Sequence, residues 1–508
     1  MSNLAIATCG STKAAVETLL LQHPDIISAS LVSEEAADGR SYPVAYVVPD
    51  SEQMRKARIR IYEADKESRV SQWRKAFDQT YRARVSDPAP SFVGWTSCYT
   101  NKPLPETEMQ EWRECTTDRI LSLNPRHVLE IGCGVGLLVQ PLAPHCASYR
   151  GTDLSPVAIA SLRDFVGSKP ELAHVALVDR EAVDLHDQPA GSVDTVIINS
   201  VIQYFPDIAY LQRVITEAAR VVKSGGRIFI GDVRDFGSLP LFHSAVQRAR
   251  APADASVGWL KRRISLAVQQ ERELAIDPHF FLALADSEPR IDRVEVLVKR
   301  GTSNELTRYR YDVVLHIGEA TPLAPQPGVA WQDGDHSIAE IEAQLASGRF
   351  TSAIIRNVAN RRLAGDLAGM RQLWSADDRQ RVGTLRESLV AEEDYGTDPE
   401  DFWALADKGL CDVSISWPPH ANDGRFDVTL SARGTAPRRQ DPTFASAAPP
   451  RLTTDPLEAA YRQQLGLELH QILRDSLPEA SVPVAVFAVE ALPPGAPAVI
   501  DFAPKGVR

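Results

Sequence analysis

Short runs of strand-forming residues alternate with amphipathic helical patterns through the middle of this chain. Such runs occur at 128–131, 148–152, 175–178, 194–198 and 227–230, and the last of these leads into helical segments at 239–250 and 257–273. Two later runs, at 293–299 and 309–316, have the pattern of an antiparallel pair. Strands that alternate with helices form parallel sheets. The chain therefore predicts an α/β fold with a seven-stranded sheet, five strands of it parallel.

A glycine-rich turn follows the first of these strands. Gly132, Gly134 and Gly136 form GxGxG, not the GxGxxG that places a pyrophosphate at a helix N-terminus. Glu130 would repel a diphosphate, whereas Asp153, which follows the second strand, can accept both hydroxyls of a ribose. The pattern favours a cationic nucleoside such as S-adenosylmethionine over NAD. A glycine turn that binds no ligand remains the alternative.

Composition limits the classes of function. The 508 residues predict two to four domains, and 55 basic against 67 acidic residues give a net charge of −12, so no nucleic-acid partner is expected. Without an export signal or an apolar run of membrane-spanning length, we expect a cytoplasmic protein with no membrane partner. Six scattered cysteines and dispersed histidines predict neither disulfides nor a metal site, and hence metal-independent chemistry.

The two ends of the chain carry the halves of one small α+β pattern. A helix at 12–22 precedes strands at 26–32 and 43–48, and a helix at 459–476 precedes a strand at 484–489. With VAYVVP at 44–49 and the prolines of 478–493, these halves resemble the C-terminal subdomain of nonribosomal peptide synthetase adenylation domains. The resemblance implies that everything between the halves is an insertion whose ends meet. Val499 stands where that family has a lysine, so amino-acid activation is not expected.

The insertion resembles the methyltransferase domains found inside such adenylation domains. The matching motifs are the segment at 94–121 that begins Gly-Trp, the NSVIQYFP segment at 199–206, GDVR at 231–234, and the segment at 304–312. The resemblance implies a class I methyltransferase, Rossmann-like, with an extra αβ extension. The predicted domains are 1–60 and 436–508 for the split subdomain, with proline-rich linkers at 321–327 and 435–450, 61–320 for the methyltransferase, and 321–435 for its extension.

The site residues follow from the strand ends and the matched motifs. We expect the cofactor S-adenosylmethionine to contact Glu130, Gly132, Cys133, Gly134, Gly136, Asp153, Leu154, Glu181, Ala182, Asn199 and Ser200. We expect the methyl acceptor to contact Tyr99, Glu108, Gln203 and Tyr204. For Tyr99 and Glu108, and likewise for Asn199, Gln203 and Tyr204, packing and capping roles are the alternatives.

The chemistry that these residues must support is simple. Methyl transfer from a sulfonium is an in-line displacement, so it needs alignment and a base for the acceptor proton. The resemblance implies that the acceptor is the amine of an aminoacyl or peptidyl thioester on a carrier protein or synthetase, methylated in trans. Alternatives are O-methylation of a carboxylate or hydroxyl of a peptide or small molecule, and a synthetase-docking helper with an idle fold. An NAD oxidoreductase is a further alternative, and it would need GxGxxG.

Overall fold

The computed structural model describes residues 2–35, 40–56, 74–75, 78–79, 81, 91–318, 329–332, 336–347, 352–387, 395–417, 424–433, 451–490 and 492. The proline-rich linkers predicted at 321–327 and 435–450, and the position of Val499, lie outside these residues. A helix that the sequence pattern also predicts over 71–81 lies largely outside them. Among the described helices, none has the length and apolar character needed to cross a membrane.

Fourteen strands lie within the described ranges. They are β1 (Ile26–Glu35), β2 (Ser41–Pro49), β3 (His127–Ile131), β4 (Ser148–Asp153), β5 (Val175–Asp179), β6 (Val193–Asn199), β7 (Val222–Arg234), β8 (Ile291–Val298), β9 (Arg310–Ile317), β10 (Val329–Gln332), β11 (Ser352–Val358), β12 (Asp412–Ser416), β13 (Phe426–Ser431) and β14 (Ala485–Ala488).

The α-helices of the described ranges alternate with these strands. They are α1 (Ser2–Leu21), α2 (Glu106–Leu121), α3 (Val139–Leu142), α4 (Pro156–Gly167), α5 (Ile208–Val221), α6 (Leu239–Arg250), α7 (Val257–Gln269), α8 (Pro278–Ser287), α9 (Glu305–Arg308), α10 (Ile338–Ala346), α11 (Arg361–Ser375), α12 (Val382–Glu387), α13 (Pro399–Asp407) and α14 (Pro456–Ser476).

The predicted seven-stranded sheet is present, in the order β5-β4-β3-β6-β7-β9-β8. Strands β3 to β7 run parallel to one another, and β9 is antiparallel to both β7 and β8. All seven residues of β6 are buried, as expected for a central strand covered by helices on both faces. The prediction of a class I methyltransferase fold is confirmed by this order of strands.

The chain beyond β9 continues the same sheet. Strands β12, β13, β11 and β10 extend it past β8 to a total of eleven strands, joined through the pairing of Ser416 with Leu297. Trp417, fully buried, packs near Tyr311 of β9, with 6.4 Å between the ring centroids. The extension is therefore continuous with the methyltransferase sheet. The exact domain boundaries stay a prediction.

The two ends of the chain share a second, three-stranded sheet in the order β1-β2-β14. Strand β14 runs parallel to β2, with Ala485 opposite Val44. Leu20 of α1 and Leu469 of α14 lie together in the core under this sheet. Halves that are distant in sequence therefore complete one α+β unit, as an insertion between them requires.

Two elements differ from the sequence prediction near the ligand-binding edge of the sheet. The helix expected after Gly136 is reduced to the four residues of α3 and a 3₁₀ turn at Ala143–His145. Pro141 lies within α3 and lacks a backbone N–H, so it limits the regular hydrogen bonding of a longer helix. The helix predicted over 257–273 ends at Gln269, and the chain beyond it is not helical until Pro278.

Candidate functional site

A cavity of about 670 Å³ lies at the carboxyl ends of the five parallel strands. Each of these strands contributes a wall residue at or just after its end: Ile131, Asp153, Arg180, Ser200 and Arg234. Open parallel sheets bind ligands at this edge, and the volume is within the roughly 300–1,000 Å³ of small-molecule sites. One end of the cavity is formed by the glycine turn, and the other by α6 and the segment after α7.

The three glycines of the turn have different tasks. All have positive φ, at 79° for Gly132, 51° for Gly134 and 84° for Gly136. A Cβ atom on Gly132 would lie 2.2 Å from Val201, and one on Gly136 would lie 2.4 Å from Leu162, so these two glycines allow close packing. Gly134 lines the cavity, and a Cβ there would meet only the hydroxyl of Tyr81, at 3.4 Å. Gly134 thus leaves space for a ligand beside the backbone.

Asp153 is fixed beside this space by two backbone donors. The N–H groups of Gly134 and Ser155 each donate to a different oxygen of its carboxylate, both over 2.8 Å. Burial raises the pKa of Asp153, whereas these two bonds lower it. Each carboxylate oxygen keeps a further lone pair, so the side chain can accept ribose hydroxyls. The loop and this carboxylate fit the nucleoside cofactor that the motif predicts.

Glu130 does not lie where the sequence analysis places it. Its side chain is only 3% exposed, and it is not among the described residues that line the cavity. Its carboxyl group accepts a hydrogen bond of 2.7 Å from the Tyr149 phenol. Burial raises its pKa to about 7. The carboxyl group turns toward Tyr149 of the neighbouring strand because diagonal cross-strand partners share one face of a sheet. The proposed contact with a cationic donor is therefore not direct in this geometry.

The structure divides the other predicted residues into two groups. On the described cavity wall lie Gly132, Gly134, Asp153, Leu154, Glu181, Ala182, Ser200, Gln203 and Tyr204. Away from it, together with Glu130, lie Cys133, Gly136, Asn199, Tyr99 and Glu108.

Local packing explains the positions of two of these residues, Cys133 and Asn199. Cys133 is buried against Gly151, and its Sγ lies 3.0 Å from the position of a Cβ there. Asn199 points its Oδ1 at Gly231, where a Cβ would lie 2.0 Å away, and its Nδ2 donates to Ser200 over 3.2 Å. These residues support the loop ends that form the wall.

The two acceptor residues predicted from the 94–121 segment lie one layer behind the cavity. The Tyr99 hydroxyl is 3.4 Å from that of Tyr309, a wall residue whose phenol donates to Asp366 over 2.6 Å. Burial raises the pKa of Glu108, and the nearby charge of Glu305 raises it further. Residues 93–98 of the same segment do form cavity wall, so the motif reaches the site through its other members.

The segment after β6, residues 200–206, lines the middle of the cavity. The Ser200 backbone has φ of +57°, and its hydroxyl donates to Asp232 over 2.7 Å. Gln203 donates from Nε2 to the Ser200 carbonyl over 3.0 Å, while its buried Oε1 has no hydrogen-bond partner among the described residues. Burial, reinforced by the charge of Glu273, raises the pKa of Tyr204 to about 12. Tyr204 is therefore a phenol at neutral pH.

Sequence reasoning missed a cluster of charged residues at the far end of the cavity. Arg234 contacts Glu271 at 3.0 Å and Glu273 at 2.7 Å, and His243 Nε2 lies 3.0 Å from Glu271. All four side chains line the cavity. Arg234 is the last residue of the GDVR motif at 231–234, and this motif is the feature of the sequence that could have indicated the cluster. Glu271 and Glu273 fall within the helix predicted over 257–273, and that prediction is wrong beyond Gln269. The non-helical segment that follows brings both side chains to the cavity wall.

A buried ionic network supports this wall from behind. The Asp232 carboxylate lies 3.0 Å from both Lys299 and Arg310, and Asp312 contacts Lys299 at 3.1 Å. Burial alone would raise the pKa of Asp232, but the two cations hold it well below its usual range. Arg310 is also a wall residue, so the network connects the antiparallel strands to the site.

Comparison with known proteins agrees with this geometry. Residues 129–230 match a family model described as a methyltransferase domain. The chain is 36% identical over 501 residues to chondramide synthase from Chondromyces crocatus, covering 94% of this chain and 12% of that protein. It is 31% identical over 479 residues to CymA, a probable non-canonical nonribosomal peptide synthetase from Salinispora arenicola, covering 94% of this chain and 6% of that protein.

Among solved structures, the N-methyltransferase NodS from Bradyrhizobium japonicum, in complex with S-adenosyl-l-homocysteine, is similar to 47% of this chain. It shares 16% sequence identity, with a TM-score of 0.29 and 99% of its own chain covered. The relatives confirm the resemblance to nonribosomal peptide synthetases, of which this chain spans 12% or less in the two cases above. The family model over residues 129–230 confirms the predicted methyltransferase domain and, with it, S-adenosylmethionine as the cofactor.

Proposed function

We propose that this chain N-methylates an aminoacyl or peptidyl group held as a thioester on a carrier protein of a nonribosomal peptide synthetase, and that it acts in trans. One observation carries this proposal: a single cavity along the carboxyl ends of the parallel strands connects the glycine turn and Asp153 to a polar chamber at the far end of the same cavity. A donor at one end and an acceptor at the other can therefore meet. Nearly the whole chain is similar to synthetase segments, which supports the choice of acceptor.

The residues of the cofactor end have distinct tasks in this proposal. S-adenosylmethionine supplies an electrophilic methyl group on a sulfonium. Asp153 would accept the ribose hydroxyls, and the side chain of Glu181 with the backbone of Ala182 would contact the adenine edge. Gln203 has a buried Oε1 that can accept a hydrogen bond in the cavity. Alignment of donor and acceptor accounts for most of the rate enhancement in such a displacement.

The charge of the acceptor end favours an amine. Glu273 and Glu305 line this end, and Glu273 keeps 33% of its side chain exposed beside its ion pair with Arg234. A carboxylate with an open face can accept hydrogen bonds from an ammonium group. A hydroxyl acceptor would gain the hydrogen bond without the attraction of opposite charges, and a carboxylate acceptor would be repelled by these glutamates.

Binding of the cofactor gives the first test. Asp153→Asn should weaken S-adenosylmethionine binding about tenfold or more, because a hydrogen bond to a charged group contributes about 1.5–3 kcal/mol. The matched control is Asp179→Asn, since Asp179 pairs with Asp153 at the end of the adjacent strand but does not line the cavity. Isothermal calorimetry measures both. A wild-type protein that does not bind the cofactor would favour the helper with an idle fold.

The acceptor is identified by product analysis. The protein is incubated with isotope-labelled S-adenosylmethionine, aminoacyl carrier proteins and free amino acids, and mass spectrometry locates the label. Label on the α-nitrogen of a carrier-bound residue supports the proposal. Label on oxygen, or on the free amino acids alone, contradicts it.

A further inference from the structure

A histidine and a glutamate that no motif predicted form a dyad at the acceptor end of the cavity. His243 is on α6, and Glu271 lies in the non-helical segment that follows α7. His243 Nε2 and Glu271 Oε2 are 3.0 Å apart, and both side chains are mostly buried while lining the cavity. The two elements that carry them belong to the insertion between β7 and β8, residues 235–290, so this insertion supplies both members of the pair.

Glu271 is held as a carboxylate by three donors. Its Oε2 accepts from Arg234 and His243, and its Oε1 accepts from the backbone N–H of Glu273 over 3.0 Å. Burial alone would raise the pKa of Glu271, but Arg234 and His243 keep it well below its usual range. A carboxylate in this state only accepts hydrogen bonds, so Nε2 of His243 must carry the hydrogen of their bond. The second ring nitrogen, Nδ1, is then the basic one.

We propose that His243, oriented by Glu271, is the base that removes the proton from the acceptor nitrogen; this inference rests on the proposed function. The nitrogen lone pair forms the new N–C bond to the methyl group. The C–S bond breaks, and its electron pair stays on sulfur, which becomes a neutral thioether. The proton of the acceptor nitrogen passes to Nδ1 of His243. Glu271 stabilises the imidazolium that results.

The other titratable groups of this chamber are less suited to the task. Tyr204 has a pKa of about 12, so it remains protonated at neutral pH. Glu273 is paired with Arg234. Further charged or titratable wall residues near this end are Cys98 before α2, Arg250 on α6, Glu305 on α9, and Tyr309 and Arg310 next to and on β9. Burial raises the pKa of the Cys98 thiol, and Oε2 of Glu305 is occupied by a hydrogen bond of 2.8 Å from the Cys98 N–H. Tyr309 donates its phenolic hydrogen to Asp366, and the arginines cannot act as bases.

The test compares three variants in single-turnover methyl transfer to an aminoacyl carrier protein over pH 6 to 9. His243→Gln should lower the rate about 100-fold or more, the typical contribution of a general base, and should abolish the acidic limb of the pH profile. Glu271→Gln should lower the rate less and shift that limb. The control is His186→Gln, because His186 also pairs with a carboxylate, Asp184, but is exposed at the surface.

A fourth variant separates a chemical role from a structural one. His243→Ala should recover part of its lost rate when imidazole is added, and calorimetry should show unchanged binding of S-adenosylmethionine in each variant. Wild-type rates and pH profiles in His243→Gln, or no recovery of His243→Ala with imidazole, would overturn the dyad alone. Failure of the wild-type protein to methylate any carrier-bound amine would instead overturn the proposed function.

Discussion

Single buried residues near the glycine turn couple the stability of this protein to pH. Glu130 has a pKa of about 7 in the folded chain against 4.5 for the ordinary side chain, because burial disfavours its charged form. A carboxyl group whose pKa is raised by folding binds more protons in the folded state. The contribution of Glu130 to the free energy of unfolding therefore falls as the pH rises from about 4.5 to about 7, and this contribution changes no further above that.

Glu130→Gln should remove this contribution, since glutamine can still accept the Tyr149 hydrogen bond but does not titrate. Between pH 5 and pH 7.5, the variant should gain about 1–3 kcal/mol relative to wild type in urea unfolding. Asp235, whose pKa burial also raises to about 7, titrates in both proteins and cancels in the difference. Exposed Glu171→Gln is the control. Parallel pH profiles for Glu130→Gln and wild type would contradict the prediction.

At the scale of elements, the ends of β6 and β7 are fixed by an ionic network instead of by backbone pairing alone. Ser200 directly follows β6, and Asp232 lies two residues before the end of β7. Both have a left-handed backbone conformation, with φ of +57° and +63°. The Ser200 hydroxyl, the Trp112 indole, Lys299 and Arg310 all contact the Asp232 carboxylate. The network thereby connects α2, β7, β8 and β9 at the cavity edge.

Asp232→Asn should lower the free energy of unfolding by about 3–5 kcal/mol, because it removes the carboxylate that pairs with Arg310 and one of the two carboxylates that pair with buried Lys299. Adding Lys299→Met should restore part of the loss. Asp378→Asn is the control, since the Asp378 carboxylate is 64% exposed and a pair with such an exposed partner, here Lys261, is worth about 1 kcal/mol or less. Denaturant titration measures all three. Equal losses in Asp232→Asn and Asp378→Asn would rule out a structural role for the network.

At the scale of the whole molecule, the segment before α14 forms hydrogen bonds with the loop after α7, which carries Glu271 and Glu273. The Thr454 hydroxyl accepts from the Ala275 N–H and donates to the Glu273 carbonyl, both over 2.8 Å. The Thr454 N–H donates to the Ala275 carbonyl over 3.1 Å. The subdomain formed by the two ends of the chain is thus connected directly to the acceptor end of the cavity.

Thr454→Val keeps the shape of this side chain but removes both of its hydrogen bonds. We expect a loss of about 1–3 kcal/mol in the free energy of unfolding, because the buried partners are left unpaired. Methyl transfer should slow while S-adenosylmethionine binds as before, since only the acceptor end is disturbed. Thr453→Val is the control, because the Thr453 side chain makes no hydrogen bond within the described residues. Weaker cofactor binding in Thr454→Val would contradict this division of the site.

The sequence by itself determined the parallel sheet, the glycine turn, Asp153 and the wall segment at 200–206. These features are encoded locally: a short apolar run forms a strand, glycines permit positive φ, and the residues that follow parallel strands meet at one edge of the sheet. The motif resemblance added the completed subdomain at the chain ends. The same local rules could not determine the direction of a side chain that has polar partners on a neighbouring strand, as Glu130 has with Tyr149.

Only the tertiary structure decided which charged groups face the acceptor. The helix pattern continued to residue 273, but the chain leaves the helix at Gln269 because residues beyond it pair with Arg234, Gln203 and Thr454 from distant parts of the chain. Those contacts place Glu271 beside His243. Interactions between residues far apart in sequence leave no local sequence pattern. For that reason the charged residues of the acceptor end could be identified only from the folded structure.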